Sequence, residues 1–395
     1  MNSSFAGFNV ARLPEIRFGS GVIKQLPEVV AAYGKRALLV TGKASFQASA
    51  HWQELQQSDI EWGLVTVEDE PTPMLVDQAV AELSGFNADV VVAIGGGSVL
   101  DAAKAIAGLL IPGNSVMDHL EGVGKGVPYE GPAVPLVCVP TTAGTGSEAT
   151  KNAVLSKRGK KGFKKSFRDN KLVAEVALID PDLLESCPKM LIAANGMDAF
   201  TQLLESWVSL RASPFTDAIA SSGMAAFRDG FWQAWEAGNP EAAEGYARVA
   251  YASLCSGITL AQAGLGSVHG LASPLGAFFP IPHGVVCGTL VAQATKVNIE
   301  VLRQRDPNGV ALRKYAEAGV LLSGKMYSSM EAAQDGLVEL LEAWTERLQL
   351  PRLNEFAVSE DDMERIVANC RGGSMQTNPI VLTDEEVARI VRARL

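Results

Sequence analysis

Histidine is scarce in this chain: four in 395 residues, against 38 glycines and 19 prolines. The five cysteines (138, 187, 255, 287 and 370) are odd in number, widely spaced and form no C-x-x-C pair. That spacing speaks against both a disulfide framework and a zinc ribbon. A basic excess is missing as well: 34 Lys and Arg face 44 Asp and Glu, a formal charge of −10. A general nucleic-acid binder carries the opposite balance, so no nucleic-acid partner is expected. No apolar run approaches the ~18 residues of a membrane span, so no membrane partner is expected either. The opening stretch, MNSSFAGFNVARLPEIRFGSG, has no basic segment followed by an apolar one, which excludes a signal peptide. These absences predict a reducing, cytoplasmic setting.

What is present suffices for large cores. The chain is 47% hydrophobic and 20% charged, a composition that excludes disorder. Its length allows two or three domains of roughly 100–200 residues. One basic run, S-K-R-G-K-K-G-F-K-K-S-F-R-D-N-K at 156–171, holds 8 of the 34 Lys and Arg, leaving 26 basic residues against 43 acidic ones elsewhere. The plain reading is a solvated hairpin. The sharper reading is that one of its lysines reaches an anionic ligand, with Lys164 as the candidate.

The first half alternates short β-rich runs with helical stretches. R-A-L-L-V-T-G (36–42), I-E-W-G-L-V-T-V (60–67), A-D-V-V-V-A-I-G-G-G-S (88–98) and V-A-L-I-D-P-D-L (176–183) read as strands, and V-L-D-A-A-K-A-I-A-G-L-L as a helix. Buried apolar strands alternating with helices predict a parallel sheet covered on both faces, with ligands at the carboxyl ends of the strands. Beyond residue 183 strand-like runs largely vanish and helical periodicity takes over. The expected organisation is an α/β Rossmann-like domain, residues 1–183, binding a dinucleotide, and an all-α domain, residues 184–395, binding metal and substrate.

Two Gly-rich loops fall on strand ends. I-G-G-G-S-V-L-D-A-A-K (94–104) opens a helix directly after a strand, so Gly95, Gly96, Gly97 and Ser98 offer unshielded backbone N–H groups to phosphate, with Asp101 one turn on. It is not the G-x-G-x-x-G fingerprint, and close packing of strand on helix would explain the glycines equally well. P-T-T-A-G-T-G-S-E (140–148) adds Thr141, Thr142, Thr145 and Ser147 as donors. Two such loops on adjacent strand ends suggest a dinucleotide.

Two of the four histidines, His269 and His283, share one segment that is otherwise apolar or tiny, S-V-H-G-L-A-S-P-L-G-A-F-F-P-I-P-H-G at 267–284. N-G-M-D-A-F-T-Q-L-L-E (195–205) is read as a helix start that places Asp198 and Gln202 on one face, four residues apart. Taken alone, Asp198 could simply complement a helix dipole, His269 could be a satisfied buried histidine and His283 a helix-start residue after Pro282. Together, two imidazoles and a carboxylate in an apolar helical domain suggest a divalent metal site.

The segments R-F-G-S-G (17–21), G-G-G-S-V-L-D-A-A-K (95–104), P-T-T-A-G-T-G-S-E (140–148) and G-L-G-S-V-H-G-L-A-S-P-L-G-A-F-F-P-I-P-H-G (264–284) resemble, in order, segments of the iron-containing (group III) alcohol dehydrogenases. The resemblance covers nearly the whole chain. It implies the dehydroquinate synthase-like, iron-dependent alcohol dehydrogenase fold, with NAD or NADP and one divalent metal (Fe²⁺ or Zn²⁺) in a cleft between the domains. It also implies an alcohol or aldehyde substrate and a homodimer. The family's metal ligands fall on Asp198, Gln202, His269 and His283, which also become the catalytic residues. Two departures stand out: Gln202 replaces a histidine, and Ser273 stands where many members carry a further histidine near the substrate. His51 and His119 fall outside the ligand segments and are read as structural.

The first strand ends in Gly42, where many NAD-preferring members carry an aspartate. With no carboxylate to repel a 2′-phosphate, and with Lys43 and Ser45 beside it as donors, NADP(H) is the expected preference. Phe200, Trp207, Leu265, Phe278 and Phe279 are candidates either for a greasy pocket or for ordinary core. The same scaffold also serves metal-free reductases of the maleylacetate reductase kind and dehydroquinate synthase-like lyases, and these stand as the alternatives.

Overall fold

A computed structural model describes residues 7–43, 46–236 and 238–395. Ser45 lies outside them. Strands β1 (Glu15–Phe18), β2 (Arg36–Gly42), β3 (Glu61–Val67), β4 (Val90–Gly95), β5 (Leu136–Pro140) and β8 (Val176–Ile179) form one sheet in the order β1-β8-β5-β4-β2-β3, with β6 (Asn152–Lys157) and β7 (Phe163–Arg168) forming a separate hairpin. Every pairing in the large sheet is parallel. Helices α1 (Leu26–Ala31), α2 (Ala50–Gln56), α3 (Pro73–Leu83) and α4 (Gly97–Leu109) connect the strands.

The continuous apolar runs are explained by two cores, one on each face. Leu38 and Val40 of β2 join one, and Ala37 and Leu39 join the other, with Val91 and Ala93 against Val90, Val92 and Ile94 doing the same in β4. Alternate side chains point to opposite faces, and neither face meets water. The P-T-P punctuation before α3 is a working helix start: the Thr72 side chain accepts from Leu75 N and Pro73 occupies the first turn. From β2 the chain moves outward to β3, then returns to pair β4 on the other side of β2. The carboxyl ends of β2 and β4 therefore flank the point where strand order reverses, the usual ligand crevice of such sheets. Gly42 and the Gly95–Gly97 turn lie there.

The chain then continues through α5 (Lys189–Val208), α6 (Pro214–Trp235), α7 (Ala242–Ala263), α8 (Ser267–Phe278), α9 (His283–Arg305), α10 (Val310–Ser323), α11 (Met330–Arg347), α12 (Met363–Asn369), α13 (Gly373–Gln376) and α14 (Asp384–Arg392). No strand follows Ile179 among the described residues. The fold is thus the expected parallel α/β sheet followed by an all-helical region.

Three local expectations need correction. The helix carrying Asp198 starts at Lys189, not at Asn195-Gly196, so Asp198 lies several turns in and does not complement a helix start. Gly196 is a packing glycine within that helix, since a Cβ there would collide with the Phe231 ring. The second concerns α9, which is long and apolar enough, by composition, to cross a membrane despite its scattered polar residues. It is instead a core helix, mostly buried and packed against α5, α8 and α11. Third, the basic hairpin is not wholly solvated: β7 packs on α8 and β6 on α4, and the Lys164 side chain is only 12% exposed.

The aromatic candidates divide. Phe200 is fully buried, tilted against the Phe227 ring and edge-on to Trp344, so it belongs to the core. Trp207 donates its Nε1–H to the Lys314 carbonyl at 2.9 Å. Leu265 and Phe279 are buried, and the Arg365 guanidinium lies 4.5 Å from the Phe278 ring centroid. His119 is structural, as expected: it stacks on Phe167 at 5.3 Å and bonds the Val127 carbonyl through Nδ1 at 2.8 Å.

Candidate metal and cofactor site

The two Gly-rich loops interlock. A Cβ on Gly97 would lie 2.7 Å from Thr145 Cγ2, and one on Gly96 would lie 3.2 Å from Thr142 Oγ1. Gly146 takes a left-handed φ of 58° and sits against the backbone of Gly257 in α7, where any side chain would collide. The glycines thus serve close packing and, at the start of α4, leave first-turn N–H groups without side-chain cover. Thr141 N bonds the Gly95 carbonyl at 3.0 Å, which ties the second loop to the first.

Two residues expected at the cofactor, Ser147 and Asp101, are engaged with each other instead. The Ser147 hydroxyl donates to Asp101 Oδ1 at 2.6 Å and accepts from Lys104 Nζ at 2.7 Å, so it is engaged within the protein and only 4% exposed. Lys104, fully buried, also reaches Thr150 Oγ1 and the Asn152 carbonyl, both at 2.9 Å. Burial raises the Asp101 carboxyl against the opposing Lys104 charge, and depresses the Lys104 ammonium in turn. Burial likewise pushes Glu148 up to about 7, with Lys104 acting against it. Sequence reasoning treated Asp101 and Ser147 as ligand-facing because it could not see a buried lysine that uses both.

Lys43 and Lys164 are each met by a carboxylate. Lys43 pairs with Glu68 at 3.0 Å, both well exposed. Lys164 pairs with Glu70 at 2.6 Å in a largely buried setting, and its carbonyl accepts from the Ser273 hydroxyl at 3.2 Å.

The rare histidines do converge. Asp198 comes from α5, His269 from α8 and His283 from the first position of α9. His269 Nε2 lies 3.1 Å from Asp198 Oδ1, and His283 Nε2 lies 3.6 Å from the same oxygen. A fourth donor, unanticipated in the sequence, completes the group: Cys287 Sγ is 3.6 Å from His269 Nε2 and 3.8 Å from His283 Nε2. All four donor atoms lie within 4.8 Å of one another. Gln202, one turn after Asp198, is 2% exposed and its Oε1 is buried with no hydrogen-bond partner.

Glu205 was also missed. Its Oε2 is 2.6 Å from His269 Nδ1, and its Oε1 accepts from Val268 N at 2.7 Å. This fixes Nδ1 as a protonated nitrogen and points Nε2 at Asp198. Burial would lower the His269 imidazole, yet its hydrogen bonds to both carboxylates raise it. Without an ion Nε2 therefore also donates, and metal binding displaces that proton. Both signals were in the sequence. Glu205 lies seven residues after Asp198 and so shares its helix face, and His283-x-x-x-Cys287 is a one-turn spacing.

Burial drives the electrostatics. It pushes the His283 imidazole down to about 4, with Asp198 opposing and Lys164 reinforcing the shift, and pushes the Cys287 thiol up to about 12. Burial would raise Asp198 too, but the two imidazoles more than offset it and hold the carboxylate ionised. A carboxylate, two imidazoles and a thiol around one point suit a divalent cation.

A parallel α/β sheet followed by a helical region with a cluster that could hold a metal ion fits a metal-dependent dehydrogenase, and comparison with known proteins shows the family. Residues 14–181 match the family described as iron-containing alcohol dehydrogenase, and residues 192–395 match the C-terminal part of the Fe-containing alcohol dehydrogenase family. Alcohol dehydrogenase 4 of Saccharomyces cerevisiae is 30% identical over 399 residues, covering 99% of this chain and 98% of that one. The NAD-dependent methanol dehydrogenase of Bacillus methanolicus is 29% identical over 390 residues, covering 97% and 98%. Among solved structures, a 1,3-propanediol oxidoreductase superposes with a TM-score of 0.88 at 28% identity, covering 99% of this chain and all of that one. The chain belongs to the iron-containing alcohol dehydrogenase family. It is an oxidoreductase that interconverts an alcohol with an aldehyde or ketone, and the lyase and metal-free alternatives are not favoured.

Proposed function

We propose that the chain reduces a small aldehyde with NADPH and runs the reverse oxidation, at a divalent ion held by Asp198, His269 and His283. The observation that carries this reading is the meeting of those three sequence-distant donors within 4.8 Å, in a chain with only four histidines. A divalent ion bound there supplies Lewis acidity to the carbonyl or alkoxide oxygen. The chain's own residues do the rest. Glu205 holds His269 in the tautomer that presents Nε2. The loops at 95–98 and 140–148 present backbone N–H groups to the cofactor phosphates. A nicotinamide bound against these loops would supply the hydride chemistry, and the protein would supply orientation and exclusion of water. Ser273 donates to the Lys164 carbonyl and offers no imidazole for proton exchange, which would leave that role to solvent or to a bound cofactor.

Preference for NADP(H) rests on Gly42, which places no carboxylate at the end of β2, and on Lys43 beside it. A panel of short aldehydes and alcohols with both cofactors, with and without added Fe²⁺ or Zn²⁺, tests the proposal. Stoichiometric NADPH oxidation with at least one aldehyde supports it. Its absence across the panel with metal supplied refutes it.

A further inference from the structure

We propose that Cys287 is the fourth protein ligand of the divalent ion, taking the place that the sequence pattern gives to Gln202, and that its sulfur tunes the site toward Zn²⁺ over Fe²⁺. This rests on the metal reading above and goes beyond it in naming the donor and the metal it selects.

The geometry is the main argument. Tetrahedral zinc, with bonds of about 2.0 Å to nitrogen or oxygen and about 2.3 Å to sulfur, spaces its donors about 3.3 Å apart for nitrogen and oxygen and about 3.6 Å apart for nitrogen and sulfur. Here the nitrogen–oxygen separations are 3.1 and 3.6 Å, and the sulfur–nitrogen separations are 3.6 and 3.8 Å. Cys287 thus already stands at zinc-compatible distances from both imidazole nitrogens. It does so because α9 begins at His283, and four residues along a helix return to the same face.

The other buried cysteines do not share this environment. Cys138 lies within the apolar strand β5, Cys370 Sγ bonds the Val367 carbonyl, and Cys255 packs in the helical core. Among the described residues, the thiol of Cys287 alone is recorded against imidazole nitrogens. Chemistry favours it over the glutamine. An amide oxygen is a neutral, hard donor, whereas thiolate is soft and selects zinc over the harder ions. Although burial raises this thiol, a coordinating ion deprotonates such a group outright, and the proton leaves to solvent.

The test uses the full chain stripped of metal and titrated with Co²⁺, whose spectrum reports its ligands. One cobalt per chain with a near-ultraviolet thiolate-to-cobalt charge-transfer band is the expected result. The band persists in Gln202→Ala and disappears in both Cys287→Ser and Cys287→Ala. In competition with a chelator, Cys287→Ser weakens Zn²⁺ binding by more than the roughly 10–100-fold that loss of an outer-shell partner costs, and weakens Fe²⁺ binding, measured anaerobically, by less. One bound cobalt without that band in the unsubstituted protein overturns the thiolate ligand while leaving the metal site standing. No bound cobalt at all overturns both.

Discussion

Glu205 holds His269 from behind: one carboxylate oxygen lies 2.6 Å from Nδ1, and the other takes the Val268 N–H at 2.7 Å. A carboxylate can only accept, so Nδ1 carries the proton and Nε2 is left to face Asp198. The ligand is pre-oriented before any ion arrives.

Glu205→Gln reverses this. Its amide NH₂ donates to Nδ1 and forces the proton onto Nε2, where it blocks ligation. We expect metal affinity to fall by roughly 10–100-fold with little change in Tm. Chelator competition and thermal melts measure the two effects, and an unchanged affinity would remove Glu205 from any orienting role.

The buried carboxyl of Glu148 makes stability depend on pH. Its folded pKa is raised to about 7 from the usual 4.5, so the folded state holds this proton more tightly than the unfolded chain. Stability from this group is therefore present below about 4.5 and lost as pH rises through about 7, a loss on the order of 3 kcal/mol. Tm measured from pH 5 to 8 should fall along that interval, and Glu148→Gln should flatten the fall. A variant with the same slope as the parent would contradict the assignment.

Gly97 is required by its neighbour as much as by any ligand. A Cβ there meets Thr145 Cγ2 at 2.7 Å and Oγ1 at 2.8 Å. Gly97→Ala should weaken cofactor binding by displacing the two loops against each other, and Thr145→Ala in the same chain should recover much of the loss. A double-mutant cycle on cofactor Kd reads the coupling. Strict additivity would mean that the loops do not press on each other.

The legible part of this chain was the part with one-dimensional signatures. Parallel strands buried on both faces give continuous apolar runs, and β4 with its glycine turn stood out for that reason. His269 and His283 stood out by rarity in an apolar segment. What failed depended on tertiary contact. Asn195-Gly196 reads as a helix start, yet it lies inside α5, where the Phe231 ring leaves no room for a Cβ on Gly196. Ser147 reads as a free donor, yet Lys104, buried from a different element, captures it. Cys287 was passed over because cysteines were read for pairs with each other, while its partners are two histidines.

Cofactor choice turns on Lys43, now paired with Glu68 at 3.0 Å on the surface. A 2′-phosphate would draw Lys43 from that exposed pair, which is itself worth little. Lys43→Ala should lower kcat/KM for NADPH more than for NADH, and Glu68→Gln should raise it for NADPH. Equal or better efficiency of the unsubstituted enzyme with NADH, with no loss of NADPH use in Lys43→Ala, would overturn the preference.

The central claim is that Asp198, His269 and His283 hold an ion on which aldehyde reduction depends. The most direct measurement is NADPH-dependent aldehyde reduction by the unsubstituted enzyme and His283→Ala, each assayed as isolated, in excess chelator, and after reloading with Zn²⁺ or Fe²⁺. The account predicts that chelator abolishes the unsubstituted enzyme's activity, that metal restores it, and that His283→Ala stays inactive and metal-free in all three conditions. Full activity in excess chelator, retained by His283→Ala, would contradict it.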